Sequence, residues 1–316
     1  MLNNTLIQKN STLIIGLSGG PDSVFLLHQL HQLKDVLELT LIAAHLNHGW
    51  RQEAAHDEQF CRTLAEKYNI PFIAAHASQF SHILPNGSQE AYGRNIRRAF
   101  FAQLIDQHPA ALVALAHHRD DQIETFFIRL IRGAGLQGLR GMQAHDGFYI
   151  RPLLATSKSE ILAYLAKHNI PFCIDHTNEH DTYLRNRIRK YALPALKQCD
   201  ERVENSVLRT MEHFSQLDDF LQQQVAATFT AISETHSELH NQQTWVSLEK
   251  FFALHPFMQQ QILLHWLCSA NVPFTPSQAL FDEIIRFLQQ PAGGTHTLYQ
   301  RWQIIKKKSA AHIKIN

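Results

Sequence analysis

The chain has 316 residues, of which 45% are hydrophobic and 18% are charged. This composition is typical of a folded protein of about two domains and excludes disordered, collagen-like and low-complexity classes. Lysine and arginine number 29 and aspartate and glutamate 28, so the net charge of +1 excludes a uniformly basic nucleic-acid coat, although not a local basic patch.

Short apolar runs alternate with longer amphipathic runs through the first half of the chain. The apolar runs, each predicted to form a strand, cover residues 12–17, 39–46, 71–75, 110–116 and 148–154. The amphipathic runs, each predicted to form a helix, cover residues 24–33, 53–68, 89–108, 121–132 and 157–168. Continuously apolar strands that alternate with helices indicate β-α-β units around a parallel sheet buried on both faces.

The pattern changes after about residue 191. Apolar residues at near-helical spacing from Val203 to Phe229 predict one long helix, and further helices are predicted at 247–269 and 277–290, before a β-rich tail at 296–315. We therefore predict an α/β protein. Residues 1–190 form a doubly wound, mostly parallel sheet, and residues 191–316 form a linker helix and a second, mainly helical α+β domain.

The string SGGPDS, residues 18–23, lies between the first predicted strand and the first predicted helix. Gly19 and Gly20 allow a tight turn and a close backbone approach to a ligand, and Pro21 suits the first helical position. The free N–H groups of a helix start attract an anion, and Ser18 and Ser23 add hydroxyl donors. We expect this loop to bind phosphate, although it is not a Walker A loop. The alternative is a turn selected for geometry alone.

Asp22 is the acid within this string, and a carboxylate near phosphates should repel them. The acid at position 22 is compatible with phosphate binding if Asp22 holds Mg²⁺ or orients a donor.

A second glycine pattern, at Gly133, Gly135 and Gly138, has GxGxxG spacing but follows a predicted helix instead of a strand. A dinucleotide site is therefore not expected there, and Gly133 is predicted to end the helix.

The string AHHRDDQIET, residues 116–125, leaves a predicted strand and enters a helix. Its polar side chains are His117, His118, Asp120, Asp121 and Glu124. Ligands bind beyond the carboxyl ends of strands in open α/β sheets, so this string should face the same crevice as SGGPDS. Two alternatives stay open. In the first, Asp121 and Glu124 serve only as the cap and the capping-box partner of the helix. In the second, His117 and Asp121 belong to a zinc site, although no third ligand has convincing spacing.

Basic residues form three clusters. They are Arg94, Arg97 and Arg98 on one predicted helix; Arg185, Arg187, Arg189 and Lys190, expected in the opening turns of the long helix; and Lys306–Lys308. Cations near a helix N-terminus are unfavourable by about 0.3–1 kcal/mol each, so several of them suggest a bound anion. A solvated charged face is the alternative for the second cluster and the favoured interpretation for the third.

The four cysteines, at positions 61, 173, 199 and 268, are too far apart for CxxC redox or zinc motifs or for a dense disulfide frame. We expect reduced thiols in the cytoplasm. No apolar run approaches about 18 residues, so no membrane span is predicted.

Together these strings resemble the PP-loop (N-type) ATP pyrophosphatases, of the adenine nucleotide alpha-hydrolase-like fold, and more closely the tRNA(Ile)-lysidine synthetases. The matching strings are SGGPDS, HLNHGWR (45–51), EAYGRNIRRAFF (90–101), AHHRDDQIETFFIRLIRGAGLQGLRGM (116–142), RPLL (151–154) and DHTNEHDTYLRNRIR (175–189). The chain departs from the family pattern at Trp50, a position usually occupied by leucine. We also expect one helical substrate domain, where longer members carry a further C-terminal domain.

The resemblance implies a cytoplasmic ligase that uses ATP and Mg²⁺. ATP adenylates the C2 carbonyl oxygen of the wobble cytidine, position 34, of a tRNA(Ile) with a CAU anticodon, and pyrophosphate leaves. The ε-amine of free L-lysine then replaces AMP, which gives lysidine. A homodimer is left open.

The resemblance also implies roles for individual residues. The ATP-binding loop is Ser18, Gly19, Gly20, Pro21, Asp22 and Ser23. Asp22 is the candidate Mg²⁺ ligand, and Asp121 and Glu124 are the candidates to bind the lysine ammonium and remove its proton, since an amine of pKa about 10.4 attacks only when deprotonated. The candidates for contact with the substrate or its phosphates are His45, Arg94, His117, Arg185 and Arg189.

Other functions remain as alternatives. A tRNA thiolase needs paired reactive cysteines or an iron–sulfur cluster, which the cysteine spacing disfavours, and an amidotransferase-linked synthetase shares the phosphate loop. A nucleotide-binding module without catalysis would need the loop but not the acids of residues 117–124. A metal hydrolase would act through His117, His118 and Asp121.

Overall fold

The structure is a computed structural model that describes residues 2–50, 53–85, 88–173, 183–238 and 241–315. The chain divides into two compact units, Met1–Ser215 and Gln216–Asn316. The domain boundary predicted between residues 190 and 191 stays a prediction.

The described residues of the first unit form a six-stranded sheet. Its strands are β1 (Thr12–Gly16), β2 (Thr40–Asn47), β3 (Phe72–His76), β4 (Leu112–Ala114), β5 (His145–Asp146) and β6 (Tyr149–Ile150). Their order is β3-β2-β1-β4-β6-β5, and the pairs are parallel except for the antiparallel edge pair of β5 and β6. The strand order reverses between β1 and β4, which is where open α/β sheets bind their ligands.

Helices cover both faces of this sheet. The helices that the structure describes up to residue 199 are α1 (Pro21–Leu33), α2 (Ala54–Lys67), α3 (Gln89–Gln107), α4 (Arg119–Ile131), α5 (Leu136–Leu139), α6 (Lys158–Lys167), α7 (Leu184–Arg187) and α8 (Leu193–Cys199). Successive side chains of a strand point to opposite faces. Leu13 and Ile15 of β1 accordingly pack with α1, α2 and α6, whereas Ile14 packs with α3. The predicted doubly wound α/β fold is confirmed.

The long helix α9 (Val203–Ile232) contains the division between the two units. The described elements that follow are β7 (Ser233–Glu238), β8 (Asn241–Ser247), α10 (Leu248–Phe252), α11 (Pro256–Ser269), α12 (Gln278–Gln289), β9 (Gly294–Tyr299), β10 (Trp302–Lys307) and β11 (Ala310–Ile315). The strands form an antiparallel sheet in the order β7-β8-β11-β10-β9, and Phe251 and Trp266 are buried in the core of this unit. The predicted α+β character of the second domain is confirmed.

Three local predictions were incomplete or wrong. The predicted helix at 247–269 is two helices, because Pro256 begins α11 and cannot continue α10. The hairpin of β7 and β8 was not predicted. The cluster from Arg185 to Lys190 lies in α7 and the following π-helical turn, Ile188–Ala192, and not in the opening turns of the long helix. Among the described residues, no helix combines the length and the apolar character that a membrane span requires.

Candidate functional site

The loop of residues 18–23 joins the end of β1 to the start of α1 and is closed by Ser23. The Ser18 N–H donates to Ser23 Oγ at 3.1 Å, and Ser23 Oγ donates to the Gly20 carbonyl at 3.0 Å. Gly20 caps α1 without a side-chain hydrogen bond, and Pro21 follows it in the first turn. The loop is thus shaped by its own hydroxyl, and the first N–H groups of α1 remain as donors for an anion.

Glycine is required at position 19 for two reasons. Its φ of +87° lies in the left-handed region that side chains disfavour. An added Cβ would also lie 3.3 Å from Cys61 Sγ and 3.4 Å from Cys173 Sγ. The Cys173 N–H donates to the Gly19 carbonyl at 2.9 Å, so the segment after α6 supports the loop from outside.

The carboxylate of Asp22 links the loop to α6. Lys158 Nζ donates to Asp22 Oδ1 at 2.6 Å and to Oδ2 at 2.8 Å. The backbone N–H of the same lysine donates to Asp120 Oδ2 at 2.9 Å, at the start of α4. One residue therefore joins the starts of α1, α4 and α6, and it brings the two strings that are about a hundred residues apart to one place, as the sequence predicts.

The ring of His118 lies among three carboxylates at this junction. Its Nδ1 is 3.6 Å from Asp120 Oδ2, and its Nε2 is 3.5 Å from Asp121 Oδ2 and 3.7 Å from Asp22 Oδ2. Burial lowers the pKa of His118, but the carboxylates outweigh burial, Asp120 most strongly, and the pKa is raised. The same contacts, with the Lys158 N–H, overcome burial to lower the pKa of Asp120 to about 2. The junction thus favours the protonated form of His118 beside the ionised form of Asp120.

The neighbouring His117 has the opposite character. Burial lowers its pKa to about 4, which the Asp121 carboxylate opposes and the arginines Arg151, Arg97 and Arg185 reinforce. Its Nδ1 makes no hydrogen bond within the part of the chain that the structure describes. His117 is therefore neutral near pH 7.

Glu124 is buried and paired with two arginines. Arg189 donates through Nε to Oε1 at 2.6 Å and through Nη2 to Oε2 at 3.0 Å. Arg185 Nε lies 3.3 Å from Oε2. The alternative that Glu124 serves as a capping partner does not hold, since its carboxylate holds α7 and the following turn against α4. Asp121 does fit that alternative, because its Oδ2 accepts the His118 N–H at 3.0 Å.

Two further predicted site residues occupy different environments. His45 is buried and its Nδ1 lies 2.8 Å from the Leu17 carbonyl, beside the phosphate loop, and burial lowers its pKa. Arg94 is exposed and pairs with Glu90 at 3.2 Å, one turn earlier on α3. His45 therefore supports the strand ends, whereas Arg94 presents a cation to solvent.

Asp22 carries the hard oxygen ligands that Mg²⁺ prefers. Both of these oxygens accept hydrogen bonds from Lys158 in the structure, so a magnesium ion would have to share the carboxylate with the lysine. Among the described residues, other potential metal ligands come together at His56, Asp57 and Cys173, whose ligand atoms lie within 4.8 Å of one another. The pair His117 and Asp121 is not part of such a group in the described chain, which disfavours a zinc site there.

A model of the PP-loop domain family matches residues 1–196. The chain belongs to this PP-loop family. Its loop of residues 18–23 and its six-stranded sheet both lie within the matched part.

The PP-loop chain is also similar to curated tRNA(Ile)-lysidine synthases. The protein from Bacillus cereus (strain ATCC 10987 / NRS 248) is 31% identical over 91% of this chain and 62% of its own length. That from Geobacillus kaustophilus is 34% identical over 82% and 56%, and that from Clostridium acetobutylicum is 37% identical over 69% and 48%. The chain therefore spans about three fifths or less of these relatives.

A solved structure supports the PP-loop fold. The U34-tRNA thiolase NcsA from Methanococcus maripaludis, with its [4Fe-4S] cluster, matches with a TM-score of 0.58 and 18% identity, over 67% of this chain and 75% of that one. At this identity the likeness shows the fold alone.

The sequence did not predict one central residue of this PP-loop site, and some residues of the matching strings lie outside the part of the chain that the structure describes. Lys158 was not singled out, although Ser157 and Glu160 form the capping box that places it at the start of α6. Gly133 does end α4, with φ of +72° and the N–H bonds of residues 133 and 134 to Leu130 and Arg129. Arg51 and residues 175–182 of the matching strings lie outside the described residues.

The first prediction concerns the buried carboxylate of Glu124. Glu124→Gln should lower the free energy of unfolding by about 1–3 kcal/mol, because two arginine side chains lose a charged acceptor. Urea unfolding followed by circular dichroism measures the change. Arg187→Gln, an exposed arginine of the same segment, is the control and should change stability by less than about 0.5 kcal/mol. Equal effects of the two substitutions would contradict this role.

The second prediction uses the opposite pKa shifts of His117 and His118. A raised native pKa makes His118 stabilising below its ordinary pKa of about 6.5, and this contribution is lost as pH rises through the native value. A native pKa of about 4 makes the fold less stable as pH falls from about 6.5 towards 4 through His117. We expect His118→Asn to destabilise less as pH rises, and His117→Asn to gain stability over the unchanged chain as pH falls.

Urea unfolding of the three proteins between about pH 5 and pH 8 tests these slopes. Each histidine variant is compared with the unchanged chain at every pH, so that the other histidines cancel. Slopes of the same sign for the two variants would show that the carboxylates do not control His118.

Proposed function

We propose that this chain is a tRNA(Ile)-lysidine synthetase, which ligates L-lysine to C2 of cytidine 34 in a tRNA(Ile) with a CAU anticodon. The observation that carries the proposal is the junction of Asp22, Lys158 and Asp120, which sets the PP-loop beside the acids of α4. The similarity to curated tRNA(Ile)-lysidine synthases over up to 91% of the chain supports the choice of reaction.

In the first step, the cytidine O2 attacks the α-phosphorus of ATP, the bond to the β-phosphate oxygen breaks and pyrophosphate leaves. The N–H groups at the start of α1 are placed to stabilise the charge that develops on pyrophosphate. Asp22 would hold Mg²⁺, which when bound supplies further positive charge to the phosphates. Lys158 would keep Asp22 oriented and reduce its repulsion of the nucleotide.

In the second step, the lysine ε-amine attacks C2, the bond from C2 to the adenylate oxygen breaks and AMP leaves. The ammonium must first give up a proton. Both oxygens of Glu124 accept hydrogen bonds from Arg189, so Asp121 is the better-placed proton acceptor. Glu124 then contributes by holding Arg185 and Arg189 where they contact ATP or the tRNA backbone, with Arg94 and His117 as further contacts.

A tRNA thiolase is the second candidate, and one observation favours it. Cys61 and Cys173 both lie within about 3.4 Å of the Cβ position of Gly19, so the wide sequence spacing does not keep these thiols apart. Burial raises the pKa of Cys61, which disfavours the thiolate that such chemistry needs. Lysidine formation is therefore the preferred function. The enzyme would act in the cytoplasm, and the homodimer that the sequence leaves open stays open.

The direct test is incubation of the chain with ATP, Mg²⁺, radiolabelled lysine and transcripts of tRNA(Ile) with a CAU anticodon or of tRNA(Met). We expect lysine label in the tRNA(Ile) transcript alone, with equal amounts of AMP and pyrophosphate. Transfer of sulfur, or no label in either transcript, would overturn the proposal.

The third prediction separates the loop from the acids. Asp22→Ala should abolish pyrophosphate release while the far-ultraviolet circular dichroism stays unchanged, because Asp22 acts on ATP. Asp121→Asn should reduce lysine transfer by about 100-fold or more and leave adenylation within about tenfold. Pyrophosphate release that is normal in folded Asp22→Ala, or equal loss of both steps in Asp121→Asn, contradicts these roles.

A further inference from the structure

An exposed tryptophan stands beyond the carboxyl end of β2. The ring of Trp50 stacks on that of His48, with centroids 4.5 Å apart and planes inclined by 25°. Trp50 is 43% exposed although it is one of the largest apolar side chains in the protein. One face of the indole is therefore supported by the imidazole, and part of the ring is open to solvent. The catalytic roles proposed above do not use it.

The structure makes room for this ring at Gly93 in the second turn of α3. A Cβ added at Gly93 would lie 2.5 Å from Trp50 Cη2 and 3.4 Å from His48 Cε1, so alanine there would force the ring to move. Gly93 is itself buried within a helix, where glycine is less favourable than alanine. The glycine is thus a packing requirement of Trp50 and fixes where the indole lies.

The start of α3 also gathers a second aromatic ring and two cations. Tyr183 is exposed and its hydroxyl donates to Gln89 Oε1 at 3.4 Å. Arg94 follows Gly93 directly, and Arg185 Nη1 lies 4.0 Å from Glu90 Oε1. Aromatic faces beside arginines are the combination that binds unpaired RNA bases, by stacking the base and attracting the adjacent phosphates.

We propose that Trp50, supported by His48 and seated on Gly93, is a stacking surface for an unpaired base of the RNA substrate. The inference deepens the proposed function and rests on it for the identity of the RNA. The adenine of ATP is the other base available, but the geometry favours RNA. The phosphate loop opens α1, which packs on one face of the sheet, whereas α3 packs on the opposite face.

The test compares the single variants Trp50→Ala, Trp50→Phe, Trp50→Leu and Gly93→Ala with the double variant that combines Trp50→Leu and Gly93→Ala. Binding of the unmodified tRNA(Ile) transcript with a CAU anticodon is measured by filter binding, together with KM for ATP. We expect Trp50→Ala and Gly93→Ala each to weaken RNA binding by about tenfold, and Trp50→Phe to retain most of it. Adding Gly93→Ala to Trp50→Leu should have little further effect, because the displaced ring is already absent.

Fluorescence gives an independent readout. The chain has four tryptophans, so the quenching that RNA causes is compared between the unchanged chain and folded Trp50→Phe. We expect quenching by the isolated anticodon stem-loop that is largely lost in Trp50→Phe. Equal quenching in both proteins would overturn the proposal.

The remaining outcomes separate this proposal from the proposed function. Unchanged RNA affinity in folded Trp50→Ala, a rise in the KM for ATP instead, or no RNA binding by the unchanged chain would overturn the stacking surface. If RNA binding falls as expected but no lysine label enters the tRNA, the stacking surface stands and the lysidine reaction fails. If label enters the tRNA and Trp50→Ala behaves like the unchanged chain, the reaction stands and the stacking surface fails.

Discussion

The ion pair of Asp22 with Lys158 is the interaction on which the site depends. Its two bonds, at 2.6 and 2.8 Å, connect the start of α1 with the start of α6, and the Lys158 N–H connects α6 with Asp120 at the start of α4. The N-termini of these three helices lie at the carboxyl edge of the sheet, because each helix follows a strand or loop that ends at that edge. Without the lysine, the acids at this edge would repel one another and the phosphate loop would lose its support.

The same junction explains how acidic residues can lie where an anion binds. Asp22, Asp120 and Asp121 surround the His118 ring, whose pKa they raise against the effect of burial, and Lys158 Nζ donates to the Asp22 carboxylate. Glu124 is balanced separately by Arg185 and Arg189. The carboxylates are thus largely neutralised by partners within the chain, so that the local field does not exclude a nucleotide. Acidic and basic groups are thus nearly balanced at this site, as they are over the whole chain, whose net charge is +1.

Much of the first unit could be predicted from sequence because its signals are local. Continuous apolar runs gave the central strands, and SGGPDS specifies a turn by its glycines and proline. The hairpin of β7 and β8 could not be predicted in this way, since SETHSE and NQQTWVS are largely polar and lack the alternation of a half-buried strand. β8 pairs with β11, a partner more than 60 residues away, and β7 pairs in turn with β8. Lys158 was missed for a related reason, because a lysine next to a capping serine is ordinary in sequence and only tertiary contact gives it a role.

The capping contact at the start of α4 does not exclude the catalytic role proposed there, although the sequence presents the two as alternatives. Asp121 accepts the His118 N–H at 3.0 Å, which is the backbone contact of a capping residue, and its Oδ2 also lies 3.5 Å from His118 Nε2. The cap fixes the carboxylate relative to the helix axis, and a fixed carboxylate loses little conformational freedom when a substrate ammonium arrives. Glu124 lies one turn later, and its carboxylate is not available to a substrate ammonium in the same way, because both of its oxygens accept hydrogen bonds from Arg189. Position within the helix therefore gives the two acids different surroundings, and this difference supports the proposal that Asp121 accepts the proton while Glu124 holds the arginines beside it.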